Sequence, residues 1–257
     1  MLFRKRKFYE SDANDEVKIG DQLDFAATEA YKLLRTNLLF TLPDASGKCR
    51  VIGITSSVRG EGKSTTSINL SYALAATSKR VLLIDGDLRL PTIAKKLQLG
   101  GKNKGLSDIL IQPSKLNEAL ISMPHMENWH VLTSGRIPPN PTEMLGSSQM
   151  ARLIETFSES YDFIVLDLPP VNIVSDALVV SPLLDGMVIV VRQNFSTRRD
   201  VNKCEKQLEL SGVKMLGFVV SNVNDGRSAY RYKYKKKSKY YYAYGKYGYE
   251  NAAESKK

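Results

Sequence analysis

Short aliphatic, β-branched runs recur along the chain, and stretches of helical period separate them. Residues 50–55 (RVIGIT), 80–84 (RVLLI), 129–133, 162–166 (DFIVL), 186–191 (GMVIVV) and 215–221 are largely apolar rather than alternating. Strands with no polar face predict a parallel sheet covered on both sides. Residues 25–42 read as a helix, with Ala30, Leu33, Leu34 and Leu38 three and four apart and Pro43 as the stop. Residues 63–76, 147–160 and 200–210 are further helices; in the second of these Met150, Leu153, Ile154 and Phe157 share one side. Residues 92–122 read as short helices and loops, and 135–145, with Pro138, Pro139 and Pro141, as a rigid turn. The alternation predicts an α/β fold: a mostly parallel sheet, helices on both faces, right-handed crossovers. Ligands of such sheets bind at the carboxyl ends of the strands.

The ends of the chain have a different texture. Residues 1–22 are polar and without period, and read as a flexible lead-in to a domain spanning 23–226. Residues 227–257 contain nine of the thirteen tyrosines and no Leu, Ile, Val, Met or Phe. Such a segment cannot build a core and is expected to be disordered on its own. It also carries ten Lys/Arg against two Glu, a net of +8 out of the chain's +10. The 23–226 region is therefore close to neutral, which argues against a basic nucleic-acid-binding fold. Two cysteines, Cys49 and Cys204, make no disulfide framework and fit a reducing compartment. No apolar run approaches the ~18 residues of a transmembrane helix. The basic start at residues 4–7 has no apolar region behind it and is not a secretory signal.

Chemistry collects at the predicted strand ends. Gly60-Glu61-Gly62-Lys63-Ser64-Thr65 lies between a strand and a helix, where a phosphate-binding loop belongs. Glycines let backbone N–H groups turn inward around a phosphate, and the helix N-terminus adds positive potential. Lys63 would reach the β- and γ-phosphates, and the Ser64 hydroxyl would sit on Mg²⁺. The strict G-x-x-x-x-G-K-[ST] pattern fails at its first position, where Ser57 stands. Asp167 ends the 162–166 strand, and Asp85 and Asp87 end the 80–84 strand. Three carboxylates at one site would repel one another without a cation, which Mg-ATP supplies. His125 and His130 have no second set of metal ligands near them.

Together these residues resemble the cytoplasmic tyrosine kinases of bacterial capsule and exopolysaccharide systems, the BY-kinases. The resemblance covers about residues 24–225 and the tail. It rests on a modified Walker A at 54–65, the D-x-D-x-R of a Walker A′ at Asp85-Gly86-Asp87-Leu88-Arg89, the D-x-P-P of a Walker B at Asp167-Leu168-Pro169-Pro170, and the tyrosine cluster. It implies a P-loop NTPase architecture like that of ParA and MinD, and a protein-tyrosine kinase using ATP and Mg²⁺. Arg59, Gly60, Glu61, Gly62, Lys63, Ser64 and Thr65 would bind the nucleotide. Ser64, Asp87 and Asp167 would serve Mg²⁺. Asp85 would be the base, and Arg89 would hold phosphate or orient the aspartates. Autophosphorylation would fall in trans on Tyr230, Tyr232, Tyr234, Tyr240, Tyr241, Tyr242, Tyr244, Tyr247 and Tyr249. The family's E-x-x-R-x-x-R assembly helix reads Glu29, Lys32, Arg35, with Lys in place of the first Arg, and Arg59 replaces a common Pro. The implied partners are a homo-oligomeric ring, a transmembrane polysaccharide co-polymerase-type adaptor that activates a split-type kinase at the inner membrane face, and a cognate tyrosine phosphatase.

Two other readings compete. A ParA/MinD-type partitioning ATPase shares the architecture but carries a lysine five residues before the P-loop lysine, where this chain has Val58, and lacks a tyrosine tail. A nucleic-acid- or membrane-binding module would use the tail, whose interleaved Lys/Arg and Tyr suit phosphates and bases. Beside a complete ATP site, no nucleic acid is expected as the main partner.

Overall fold

The computed structural model describes residues 17–42, 48–99, 104–124 and 126–223. Residues 1–16, Pro43, His125 and the nine tail tyrosines lie outside them. The chain divides into one unit, Met1–Asn222, and a second, Val223–Lys257; the sheet and the motif residues belong to the first.

Asp24 opens α1 (Phe25–Thr41), its carboxylate accepting from the Ala27 amide at 2.8 Å. Then come β1 (Arg50–Ser56), α2 (Lys63–Ala75) and β2 (Val81–Asp85). Three short helices follow, α3 (Ile93–Lys96), α4 (Leu106–Ile111) and α5 (Leu116–Ala119), then β3 (Leu120–Met123) and β4 (Met126–Leu132). The second half runs α6 (Pro141–Leu145), α7 (Ser148–Ser158), β5 (Phe163–Asp167), α8 (Asp176–Val180), β6 (Gly186–Arg192), α9 (Arg198–Ser211) and β7 (Met215–Ser221).

The seven strands lie in the order β3-β4-β2-β5-β1-β6-β7, with every pair parallel except β3 with β4. Because side chains alternate along a strand, neighbouring residues enter opposite layers. Val51, Leu82, Ile84, Ile164 and Leu166 pack with Leu153, Ile154 and Phe157 of α7 and Leu208 of α9. Ile52, Ile54, Leu83, Phe163 and Val165 pack with Ile68, Leu70 and Leu74 of α2 and Leu38 of α1. The register that results places Asp167 opposite Ile54 of β1 and opposite Asp85 of β2. Two of the expected acids are thus partners across adjacent strand ends beside the loop that follows β1.

Four local expectations need correction. Residues 17–22 are not a loose lead-in: Val17 is buried, Ile19 packs against the α1/α2 layer and Gly20–Gln22 form a 3₁₀ turn. β3 falls in a stretch read as helix and loop; it is a four-residue antiparallel edge strand without the apolar run that marks the inner strands. The 135–145 segment contains α6, with Pro141 at its first position, where a missing N–H costs nothing. α8 falls in residues 168–185, a stretch read without any element.

Candidate active site

The loop after β1 is shaped by two glycines in the left-handed region, Gly60 at φ +83° and Gly62 at +96°. Side chains rarely adopt that backbone, which explains glycine at both positions. Gly62 is the N-cap of α2, and no side chain caps that helix. The side chain of Glu61 turns inward. Its fully buried carboxylate accepts from the Ser57 hydroxyl at 2.8 Å, from the Val58 amide at 2.8 Å and from the Ser196 hydroxyl. Glu61 is the internal brace of the loop, and Ser57, standing where the strict motif has glycine, is one of its supports. Two residues from far along the chain hold the outside: Arg192 Nη1 donates to the Gly60 carbonyl at 3.1 Å, and the Ser221 hydroxyl donates to the Glu61 carbonyl at 2.5 Å. Arg59 is exposed at the tip. The Thr65 hydroxyl lies 3.3 Å from Lys96 Nζ.

Lys63 lies across the acids. Its Nζ is 2.9 Å from Asp87 Oδ2, 3.5 Å from Asp167 Oδ2 and 3.4 Å from Ser64 Oγ. Burial alone would pull its pKa down, but the charges of Asp167 and Asp87 outweigh it and hold it above the usual lysine value. Asp167 is wholly buried, and that burial raises its carboxyl despite Lys63. Its Oδ1 accepts from Ser67 Oγ at 3.0 Å, while Oδ2 has no hydrogen-bond partner. Asp85 lies deeper than Asp87. Its oxygens accept from the Asp87 amide at 3.3 Å and the Ile93 amide at 3.1 Å. Burial, reinforced by Asp167, pushes its carboxyl up to about 8.

These residues fit a magnesium ion that arrives with a nucleotide. A buried carboxylate oxygen that has no hydrogen bond and faces Lys63 at 3.5 Å, a serine hydroxyl beside it and a lysine shared by two acids are groups that Mg²⁺ and phosphate oxygens would re-partner. Among the described residues no three His, Cys, Asp or Glu side chains converge as a closed metal cage. Mg²⁺ keeps several waters and takes the rest of its shell from one or two carboxylates and phosphate oxygens.

Arg89 makes no direct hydrogen bond to Asp85 or Asp87. Its guanidinium pairs with Asp176, Nε to Oδ2 at 2.8 Å, and donates to the Thr142 hydroxyl at 2.8 Å. On α1, Lys32 pairs with Glu29 at 2.8 Å on the exposed surface, whereas Arg35 turns onto its own chain and donates to the Ala73 carbonyl at 2.8 Å. Sequence reasoning missed Ser67, Thr142, Asp176, Arg192, Ser196 and Ser221. Apart from Ser67, which stands four residues after Lys63, they come from segments without a motif and reach the site through the fold.

Fold and site define a P-loop nucleotide-binding protein. The AAA-domain family model matches residues 49–209. Tyrosine-protein kinase CpsD of Streptococcus agalactiae is 35% identical over 203 residues, 79% of this chain and 86% of that protein. Tyrosine-protein kinase YwqD of Bacillus subtilis is 36% identical over 194 residues, 76% of this chain and 80% of that one. Among solved structures, the chimerical protein CapA2B2 superposes with a TM-score of 0.70 at 37% identity, covering 75% of this chain and 83% of that one. The septum site-determining protein MinD of Pyrococcus horikoshii, complexed with Mg-ADP, gives 0.56 at 28% identity, covering 67% and 70%. The chain belongs to the bacterial tyrosine-protein kinases, the BY-kinase family. No helix among the described residues is long and apolar enough to cross a membrane.

Proposed function

We propose that the chain transfers the γ-phosphoryl group of Mg-ATP to tyrosine hydroxyls in the 227–257 cluster of a neighbouring copy, and thereby regulates capsule or exopolysaccharide synthesis and export. The observation that carries this reading is Lys63 suspended between Asp87 and Asp167 at the mouth of a glycine loop. When bound, Mg²⁺ would neutralise the charge of the triphosphate and polarise its terminal phosphorus. Ser64, Asp87 and Asp167 are the residues that would hold it. Lys63 exchanges its acid partners for phosphate oxygens, and the loop amides donate to the remainder. A tyrosine hydroxyl has an ordinary pKa of ~10, so a carboxylate must take its proton as the new P–O bond forms. Asp85 is assigned as that base: it stands in the turn beside Asp87, and the Asp87 and Ile93 amides hold its two oxygens in place.

In this reading residues 23–226 are the transferring domain and 227–257 its substrate. Copies assemble into a ring through the Glu29–Arg35 face of α1. A transmembrane adaptor of the polysaccharide co-polymerase type brings the kinase to the inner membrane face and activates it, and a tyrosine phosphatase resets the tail. The test is incubation of the purified chain with Mg-ATP, with and without the adaptor's cytoplasmic peptide, followed by mass spectrometry of the tail. Phosphotyrosine on the cluster is expected, and Lys63→Met should lower its rate by about 10²–10³-fold, the usual effect of removing a donor to developing charge. Phosphate release without phosphotyrosine would instead indicate a plain ATPase.

A further inference from the structure

The turn that follows β2 brings Asp87 to the phosphate loop, and a set of hydrogen bonds keeps it still. The Gly86 amide donates to the Asp167 carbonyl at 2.9 Å, and the Leu90 amide to Asp87 Oδ1 at 3.0 Å. Leu88 is fully buried beneath. Arg89 reaches the other way. Nε meets Asp176 Oδ2 at 2.8 Å, and Nη2 meets Asp176 Oδ1 at 3.1 Å and Thr142 Oγ1 at 2.8 Å. The Thr142 hydroxyl itself donates to Asp176 Oδ1 at 2.6 Å. Asp176 opens α8 and is fully buried, and Thr142 is the second residue of α6. A guanidinium fork on a buried carboxylate is a strong and directional contact, which lysine cannot copy. It joins three segments, the 85–90 turn, α6 and α8, that no strand pairing connects.

We propose that Asp176, assisted by Thr142, is a positioning residue for phosphoryl transfer: by clamping Arg89 it fixes the 85–90 turn and so sets Asp87 against Lys63. The inference rests on the proposed phosphoryl transfer and assigns a part in it to residues outside the three Walker motifs. Leu88 anchors the turn below and the Arg89 clamp anchors it above, with Asp87 immediately before them. Without the clamp the turn keeps its buried leucine but gains freedom where the acid meets the lysine. A misplacement of about 1 Å at a reacting centre costs on the order of 100-fold in rate.

The experiment compares wild type, Asp176→Asn, Thr142→Val, Arg89→Lys and the Arg89→Lys/Asp176→Asn double variant. It measures tyrosine transfer at varied ATP, Mg-ADP affinity by calorimetry, and amide hydrogen exchange of the nucleotide-free protein over residues 85–93 and 57–65. Each single variant is expected to lower kcat by about 10- to 100-fold. KM for ATP should stay within about threefold, because the loop amides are untouched, whereas Mg-ADP affinity should fall with the displaced Asp87, a proposed Mg²⁺ ligand. Exchange should quicken over 85–93 and not over 57–65. The double variant should fall no further than the worse single one, since both break one contact. Lower thermal stability with unchanged kcat, losses that multiply in the double variant, or unaltered exchange over 85–93 would overturn the proposal. If wild type itself never modifies tyrosine, the phosphoryl-transfer reading fails, and exchange and calorimetry still decide whether the clamp holds the turn.

Discussion

At the scale of single residues, the site is a contest between burial and charge. Asp87 and Asp167 share Lys63, with Asp85 bonded behind them to backbone, and each acid is placed differently. Asp87 touches Lys63 directly, Asp167 holds an oxygen with no hydrogen-bond partner, and Asp85 is tied to two backbone amides. Their substitutions should therefore fail in different ways. Asp87→Asn and Asp167→Asn should raise the Mg²⁺ concentration needed for half-maximal transfer, with partial recovery at high Mg²⁺. Asp85→Asn should depress kcat by about 10²–10⁴-fold, the range of a lost general base, and excess Mg²⁺ should not restore it. A magnesium titration of all three separates the roles; recovery of the Asp85 variant at high Mg²⁺ would take the base assignment away from it. Glu61 offers a second check. Glu61→Gln keeps the size but weakens the brace to Ser57, Val58 and Ser196, and should lower Mg-ADP affinity without touching Lys63, as calorimetry would show.

At the scale of elements, what was legible in the sequence was what the chain writes locally. The inner strands β1, β2, β5 and β6 are buried on both faces over most of their length, so their apolar runs stand out, and the ends of β1, β2 and β5 lead into the motif residues. The edge strand β3 and the short helices α6 and α8 left no such trace, because their neighbours rather than their own period stabilise them. The same holds for the Arg89–Asp176–Thr142 clamp and the Arg192 and Ser221 contacts, made by residues many positions apart. Gly105 is a further case. A Cβ there would lie 2.1 Å from the Gly135 amide nitrogen and 2.4 Å from the Thr133 carbonyl oxygen, so α4 can dock on the chain after β4 only because position 105 lacks one. Gly105→Ala should cost about 1–3 kcal/mol in a denaturation experiment, as overpacking against fixed backbone does. The strand starts are tied too. The Asp162 carboxylate accepts from the Arg80 amide at 2.8 Å and from its guanidinium at 3.0 Å, joining the chain before β2 to the chain before β5. Partial burial alone would raise the Asp162 pKa, but the bonds and charge of Arg80 outweigh it and hold it below the ordinary value. A depressed carboxyl stabilises the folded state above its unfolded pKa, ~4, and loses that contribution as pH falls through the folded value. Wild type should therefore be more stable than Asp162→Asn at pH 7, and the gap should close in acid, read from thermal midpoints across pH.

At the scale of the molecule, charge is divided unevenly between two parts of the chain. Residues 227–257 carry ten Lys/Arg and two Glu, which leaves the rest of the chain at +2. In the proposed function that cationic segment seeks the acid-lined site of a neighbouring copy, an attraction that salt should weaken. The reaction itself reverses the attraction. Each phosphate adds about −1.5 to −2 at neutral pH, so roughly four or five cancel the tail's net +8, and nine would carry it to about −6 to −10. In that reading a tail that begins as a ligand for Asp85, Asp87 and Asp167 ends as an anion beside them. Assembly should therefore weaken in steps with the number of phosphates, faster past the point of neutrality, rather than with any one tyrosine. Native mass spectrometry on samples carrying zero to nine phosphates should show the oligomer giving way to monomer near the fourth or fifth. Replacing two or three tail lysines by glutamine should move that point to fewer phosphates. An oligomer that persists at nine phosphates, or a transition set by one tyrosine whatever the net charge, would mean that the switch is a specific contact and not a balance of charge.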